Sequence, residues 1–461
     1  MPPFRKTYHL KDSILTFGFT IIVSFFVLFC ANDSYGQQKK IDIALYVDHL
    51  FHITEVMVTD VASPPAAARF YAYSTLAAHL SWSEIHNSPN HQKLLPKSLI
   101  GDLQLKSPPS GLNPEFVAVY SMLEVGKNIM PSGKLLEVKQ ADLVKNAIKN
   151  KWFSRRSAAQ HLEYAQYIAG EVMKLANTDG YNKLSTLTRY SPKKGEGFWY
   201  PTPPAYMAAV EPEWRTIRPF FIENNKAFKP APPAPFSLEK GSSFHTQLLE
   251  VYEVTSDLDE EAVLIANFWD CNPFMVQYSG HMAIGIKKIS PGGHWMGITG
   301  IASQKAGLDW DETLYIHTLV SMGLHDAFVS CWEEKYDSDR IRPESAINKY
   351  IDESWRPILQ TPPFPEYTSG HSVISTTSAI ILTDYFGDNF EFIDSSVVYF
   401  DLPERAFPSF NQAAAEAAVS RLYGGIHFRD AIKEGVNQGK RIGNFILEKI
   451  NAQVSLADQQ E

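Results

Sequence analysis

The chain is poor in cysteine: three residues in 461, at Cys30, Cys271 and Cys331. A disulfide framework needs more than that. Without any Cys-x-x-Cys pair, a structural zinc site of the finger or ribbon type has no ligands. Cys271 and Cys331 are therefore expected as buried free thiols. Positive charge is also short. Lys and Arg number 42 against 51 Asp and Glu, a formal net charge of −9, so the overall electrostatic footprint of a nucleic-acid-binding protein is missing. Any anion site must be assembled from local cations. Alternation of period two is rare, no tandem repeat occurs, and no strand–helix–strand rhythm recurs, which argues against all-β, solenoid and parallel α/β architectures. The apolar fraction is 44%, enough for a sizeable core and unlike a disordered chain.

The N-terminus carries a distinct pattern. Arg5, Lys6 and Lys11 precede or open an uncharged apolar run, Ile14 to Cys30, and Ser34-Tyr-Gly36 offers small residues before Gln37. This is the order of an export signal ending at residue 36. The run is long for a signal and short for a full membrane span, so an uncleaved anchor is the alternative. The expectation is an exported protein, periplasmic or secreted, with no stable membrane partner once residues 1–36 are removed. The oligomeric state cannot be read from these features.

Residues 37–240 read as an N-terminal helical region with covering loops, and residues 241–461 as a C-terminal helical region. Helical spacing or composition marks residues 37–60, 66–79, 116–129, 135–153 and 154–177. Residues 88–112 are polar and proline-bearing and read as loop. Gly197-Phe-Trp-Tyr-Pro-Thr-Pro-Pro204 and Phe228 to Phe236 are too rich in proline for regular structure, and their aromatics require a surface to pack on. Helical signals return at residues 244–254, 260–269, through Ala302 after Gly293-His294-Trp295, at 308–332, 372–386, 411–421 and 431–450. The fold class is all-α: packed helical bundles under long proline- and aromatic-rich loops.

Three segments carry candidate chemistry. In the first, Trp332-Glu-Glu-Lys335 leads to Arg342-Pro343. The seven-residue spacing of Lys335 and Arg342 predicts one shared helix face, with Pro343 ending the helix near Arg342. The second is Thr361-Pro-Pro-Phe364-Pro-Glu-Tyr-Thr-Ser369-Gly370-His371, a proline loop feeding a helix N-terminus, where unpaired N–H groups favour anions. The third is Ser420-Arg421 through Gly424-Gly425 to His427 and Asp430. Each alone reads as a solvated charged face, a capped turn or a turn histidine. Together they bring three cations (Lys335, Arg342, Arg421), neutral donors at Ser369 and the Gly370 N–H, and two imidazoles. This set suits a tetrahedral oxyanion, since three buried cations need a compensating anion. His294 and the His325-Asp326 pair are open to either a core or a cleft-lining role.

Lys-x6-Arg-Pro, Ser-Gly-His and Ser-Arg-x5-His, in that order over residues 335–427, resemble the signature shared by vanadium-dependent haloperoxidases and the phosphatidic-acid-phosphatase type 2 family. The central motif from Thr361 to His371 is similar to the longer haloperoxidase form. Trp332 and Phe364 fall where haloperoxidases carry aromatics near the halide. Pro201 to Tyr206, Ile265 to Trp269 and Gly293 to Trp295 look like the bacterial haloperoxidase-like branch. The chain departs from the pattern at Thr368, where proline is usual, and at Ala431, where an aspartate four residues after the histidine is usual; here Asp430 stands one residue earlier.

The resemblance implies vanadate as cofactor, with phosphate able to occupy the same site. His427 would be the metal ligand. Lys335, Arg342, Arg421, Ser369 and the Gly370 N–H would hold oxygens, His371 would be the acid–base, and Trp332 and Phe364 would form the halide pocket. It implies hydrogen peroxide and halide as substrates, oxidation of iodide, with bromide as the further halide, through a His-bound peroxovanadate, and Lys335 polarising the peroxide. The alternative on the same cage is an exported acid phosphatase with His427 as nucleophile, passing through a phosphohistidine, and His371 protonating the leaving group.

Overall fold

Pro64 and Pro65 open a helix that a run of small residues then fills. The computed structural model, which describes residues 41–86, 103 and 105–458, places that helix, α2 (Pro64–His86), where Pro64 to Ser83 are buried without a break. A helix apolar or small on every side belongs inside a bundle. It follows α1 (Ala44–Thr59) and precedes α3 (Pro114–Ile129), α4 (Leu136–Lys149) and α5 (Ala158–Ala176). The expected helices of this half are all present, mostly starting later than expected. The expected export signal at residues 1–36 lies outside the described residues, as do most of residues 88–112.

The second half contains α6 (Ser243–Ser256), α7 (Glu260–Phe268), α8 (Pro291–Ala306), α9 (Trp310–Ser338), α10 (Pro343–Tyr350), α11 (Gly370–Phe386), α12 (Phe410–Tyr423) and α13 (Arg429–Asp458). Two short antiparallel hairpins, β1 (Val276–Ser279) with β2 (Met282–Gly285) and β3 (Phe392–Asp394) with β4 (Arg405–Phe407), are the named strands among the described residues. They decorate an otherwise all-α architecture. Helix α9 packs against α2 and α11, and α11 against α12 and α13, so helices from both sides of residue 240 share contacts. Among the described residues no helix is long and apolar enough to cross a membrane.

Two local expectations are corrected. Gly293-His294-Trp295 does not precede a helix but lies inside α8, because Ser290 caps it by accepting from the Gly293 N–H at 3.1 Å and Pro291 takes the first helical position. Lys335 and Arg342 do not share one helix face. Helix α9, opened by a capping box between Asp309 and Glu312, ends at Ser338, where Asp339 turns left-handed with φ 52°. Arg342 is extended, and Pro343 begins α10. The covering loop holds this turn: the Trp199 N–H donates to the Asp339 carbonyl at 2.8 Å, and the Tyr190 hydroxyl to Asp339 Oδ1 at 2.6 Å.

The aromatics of the covering loops pack inward, with Trp199, Trp214, Phe220, Phe221 and Phe228 buried. Asp326, in the middle of α9, fastens the loop from beneath. Its carboxylate accepts from the backbone N–H groups of Phe220, Phe221 and Ile222 at 2.7, 2.7 and 3.0 Å. Burial nonetheless pushes its pKa up to about 7, against those three donors.

Helix α13 reaches α11 through glycines spaced four apart. A Cβ on Gly435 would lie 2.8 Å from Ser372 Cβ and 2.9 Å from the Ser369 carbonyl oxygen. One on Gly439 would lie 2.4 Å from the Val373 carbonyl oxygen, and one on Gly443 2.9 Å from Ile380 Cβ. This seam sets the height of the α11 N-terminus, and the Ser369 N–H donates across it to the Ala431 carbonyl at 3.1 Å. The central motif is thereby seated on the helix that follows the third motif.

Candidate active site

The central loop delivers its residues to the start of α11. Ser369 is the N-cap: its Oγ accepts from the Ser372 N–H at 3.4 Å and the Ser372 hydroxyl at 2.9 Å, which leaves its own O–H to donate elsewhere. Gly370 and His371 follow in the first turn. Both line a small cavity together with Trp332, Phe364, Arg421 and His427, walled further by Cys271, Phe274 and Phe328. The space that a water centre can occupy is about 30 Å³, more than a single water needs. Six of the nine candidate residues thus share one cavity wall. Lys335, Arg342 and Ser369 are fully buried, and hydrogen bonds tie them to the loops that form that wall. Phe274 also borders a wider, more open depression of about 400 Å³, with Ser63, Val210 and Glu211 in its wall.

Both imidazoles are held as the tautomer with the proton on Nδ1, each by a different acceptor. Arg342 Nη1 lies 3.1 Å from His427 Nε2. A guanidinium only donates, so Nε2 carries the lone pair and Nδ1 the proton. That proton goes to Glu366 Oε1 at 2.8 Å. Burial, followed by the charge of Arg342, holds the His427 pKa well below its ordinary value. His371 has its Nε2 buried without a partner, while the Trp269 carbonyl accepts from the ring. Burial and then the Arg421 charge keep it neutral as well.

Glu366 was not singled out in the sequence. Its Oε1 also accepts from the Phe428 N–H at 2.9 Å, and Arg340 Nη1 stands 3.4 Å from Oε2. Burial raises its pKa against the pull of Arg340 and Arg342. Asp430 does not reach His427. It pairs with Arg340 and accepts from the Ala234 N–H, so the one-residue shift from the family pattern is answered by a carboxylate from another loop. A glutamate five residues before a candidate histidine, inside a proline loop, was the available signal.

The cations are anchored by backbone carbonyls. Arg421 Nη2 donates to the Trp269 carbonyl at 2.7 Å and its Nε to the Ser420 hydroxyl at 3.0 Å. Arg342 Nε donates to the Phe364 carbonyl and Nη1 to that of Ile426, both at 2.9 Å, while Nη2 is buried without a partner. Lys335 is held by the central loop itself. Its Nζ meets the carbonyls of Pro365, Glu366 and Thr368 at 3.1, 3.1 and 2.5 Å, one for each ammonium N–H. Burial pulls its pKa down to about 7. Its structural work here is to pin the central loop.

The aromatic side of the cavity is equally defined. The Trp332 and Phe364 ring centroids are 5.0 Å apart, and Trp332 Nε1 donates to the Val210 carbonyl at 3.3 Å. Lys335 Nζ lies 5.1 Å and Arg342 Cζ 5.0 Å from the Phe364 centroid, within cation–π range. The buried cations Lys335, Arg340 and Arg342 act on the buried Glu366 carboxylate, whereas Arg421 is faced by the buried Asp270. With Arg342 Nη2 and His371 Nε2 unpartnered, this donor set fits a multiply charged oxyanion. Among the described residues no group of three or more His, Cys, Asp or Glu side chains gathers to hold a metal ion directly.

Residues 349–455 match the family description VCPO second helical-bundle domain. No curated protein sequence matches the chain significantly. Among solved structures, a bacterial vanadium-dependent iodoperoxidase aligns at 40% identity over 88% of this chain and 95% of its own, with a TM-score of 0.78. Two structures of bacterial vanadium-dependent chloroperoxidase, in holo and apo form, align at 14% identity over 85% of this chain, with TM-scores of 0.63 and 0.64 and coverage of 93% and 95% of their own chains; these show likeness of fold. At that identity and coverage to the iodoperoxidase, the chain belongs to the vanadium-dependent haloperoxidase family of enzymes.

Proposed function

We propose that this enzyme oxidises iodide, and with more difficulty bromide, using hydrogen peroxide and vanadate bound at His427. The observation that carries the reading is the convergence of the His427 imidazole, the unpartnered Nε2 of His371 and buried guanidinium donors around one small cavity. The 40% identity to a bacterial iodoperoxidase supports the choice of halide.

In this reading His427 Nε2 would bind the metal, since Glu366 holds the proton on the opposite nitrogen. Arg342 and Arg421 would hold oxygens with donors already aimed by backbone carbonyls, and the Ser369 hydroxyl and Gly370 N–H would add neutral donors. When bound, vanadate supplies a Lewis acid on which hydrogen peroxide is activated toward halide without a change in metal oxidation state. His371, neutral and anchored by the Trp269 carbonyl, takes or gives a proton at Nε2. Lys335 keeps the 365–368 carbonyls in place. To touch the oxyanion directly, as the resemblance implies, it would exchange one carbonyl for an oxygen of the anion. Phe274, Phe328, Trp332 and Phe364 wall the remaining side with rings. A large, polarisable, weakly hydrated anion is the least costly to desolvate there, which favours iodide. Export through removal of residues 1–36 is part of the same proposal.

The test is an assay of purified protein with hydrogen peroxide and iodide or bromide, with and without orthovanadate, beside a phosphomonoester assay on the same sample. Vanadate-dependent iodide oxidation that excess phosphate suppresses is expected. Phosphomonoester hydrolysis with no halide oxidation would replace this reading with the phosphatase.

A further inference from the structure

The same cavity has a sulfur in its wall. Cys271 lines it beside Gly370, His371 and Arg421. Behind it, Cys271 Sγ lies 3.4 Å from His294 Nδ1, and His294 Nε2 lies 2.7 Å from Asp394 Oδ2. The other carboxylate oxygen, Oδ1, is fixed by the Ser396 N–H at 3.0 Å and its hydroxyl at 2.6 Å. All three side chains are buried, and Trp269 stacks on the imidazole at 4.5 Å and 24°. The two ring nitrogens face opposite partners, so the group cannot close on one metal ion. Nucleophile, imidazole and orienting carboxylate stand in line, the arrangement that activates a weak nucleophile. His294 was left open between core and cleft in the sequence, and it occupies the layer just behind the cleft.

The second free thiol serves as an internal comparison. Cys331 is also buried, but it sits against the Thr368 hydroxyl and carbonyl at 3.7 and 3.8 Å, has no imidazole beside it and does not line the cavity. Burial pushes its thiol up. Next to Cys271, the Asp394 carboxylate raises the His294 pKa to about 10 despite burial, so the imidazole holds a proton within 3.4 Å of the sulfur.

We propose that Cys271 is a nucleophilic thiol of the oxyanion cavity, activated by the His294–Asp394 pair, that captures the electrophilic halogen formed there and becomes a sulfenic acid. This rests on the haloperoxidase reading above. Written for iodide, the thiolate lone pair attacks the iodine of hypoiodous acid. The S–I bond forms, the I–O bond breaks, and hydroxide leaves as water with the His294 proton. Water then attacks sulfur, the S–I bond breaks, iodide departs, and His294 recovers a proton. Net, thiolate and hypoiodous acid become sulfenic acid and iodide; sulfur gives up two electrons and iodine gains them. Because the sulfenic acid projects into the space the oxyanion needs, its accumulation slows the enzyme, and a thiol reductant reverses the loss.

The full chain, loaded with orthovanadate, is supplied with hydrogen peroxide and iodide in the presence of dimedone, and peptides bearing Cys271 and Cys331 are quantified by mass spectrometry. Dimedone adduct on Cys271 on the order of tenfold above Cys331 is expected, dependent on iodide. His294→Gln and Asp394→Asn should each cut labelling of Cys271 by hypoiodous acid added directly. Equal labelling of the two cysteines, labelling by peroxide without iodide, or labelling indifferent to both variants overturns the proposal. If the enzyme oxidises no iodide, yet added hypoiodous acid still modifies Cys271 first and through His294, the haloperoxidase reading fails and the activated thiol stands. If added reagent also spares Cys271, the thiol falls with it.

Discussion

Glu366 and His427 are 61 residues apart in the chain and meet through one hydrogen bond, Oε1 to Nδ1 at 2.8 Å. That contact fixes which nitrogen of His427 carries the proton. Arg342 beside Nε2 requires a lone pair there, and Glu366 accepts the proton on Nδ1, so the two contacts select the same tautomer. Glu366→Gln keeps the shape but weakens this preference. Vanadate affinity, read by equilibrium dialysis, should fall roughly 10–100-fold, as is usual for partners of a metal-ligating histidine. Asp430→Asn, which acts on Arg340, should change it much less. Equal effects of the two would remove Glu366 from the role.

Gly370 separates folding from binding. A Cβ built there comes no nearer than 3.7 Å to Trp332 and 4.0 Å to Lys335, an ordinary contact, yet the residue lines the cavity. Gly370→Ala should therefore melt close to the wild type while halide oxidation drops on the order of tenfold or more, since a displaced reactant costs rate steeply. Thermal unfolding and initial rates on one preparation would show the split, and a large loss of stability would contradict it.

Gly439 gives the opposite outcome. Its added Cβ would stand 2.4 Å from the Val373 carbonyl oxygen, a backbone atom that cannot swing aside. Gly439→Ala should lower the unfolding free energy by about 1–3 kcal/mol in urea. Because the α11 N-terminus moves with the seam, vanadate affinity should fall as well. A variant of wild-type stability would mean that the helices can separate at little cost.

The His294–Asp394 pair makes stability depend on pH. Burial opposes charge on His294, but Asp394 and then Cys271 outweigh it and raise the pKa to about 10. A group raised in the folded state stabilises fully below its unfolded value, near 6.5, and that contribution is lost as pH rises through about 10. Asp394 is depressed, its burial being outweighed by His294, so its share is lost as pH falls below the ordinary carboxylate range. Urea midpoints should decline from about pH 6.5 toward 10, and Asp394→Asn should flatten that decline. An unchanged slope in the variant would place the dependence elsewhere.

The helical content, the covering loops and the three motifs were legible in the linear order of residues. Proline at helix starts, small-residue bodies and capping residues are local signals, and Ser369, Asp259 and Asp309 cap the helices that follow them. The motifs also named the cavity wall, because each brings its own charge or imidazole. The sequence could say which groups must meet, since three buried cations and two imidazoles have little other reason to recur in that order.

It could not say how they meet. Lys335 and Arg342 converge across a left-handed turn at Asp339 rather than along one helix, since helix termination there depends on Tyr190 and Trp199 from a distant loop. The carboxylate behind His427 turned out to be Glu366 and not its sequence neighbour Asp430, and a thiol, an imidazole and a carboxylate from Cys271, His294 and Asp394 came into line behind the cavity. Partners for buried polar groups are chosen by which backbones can approach closely, and here the Gly435–Gly439–Gly443 seam and the covering loops set those approaches. Composition and spacing supply the charges; only packing decides the distances at which they act.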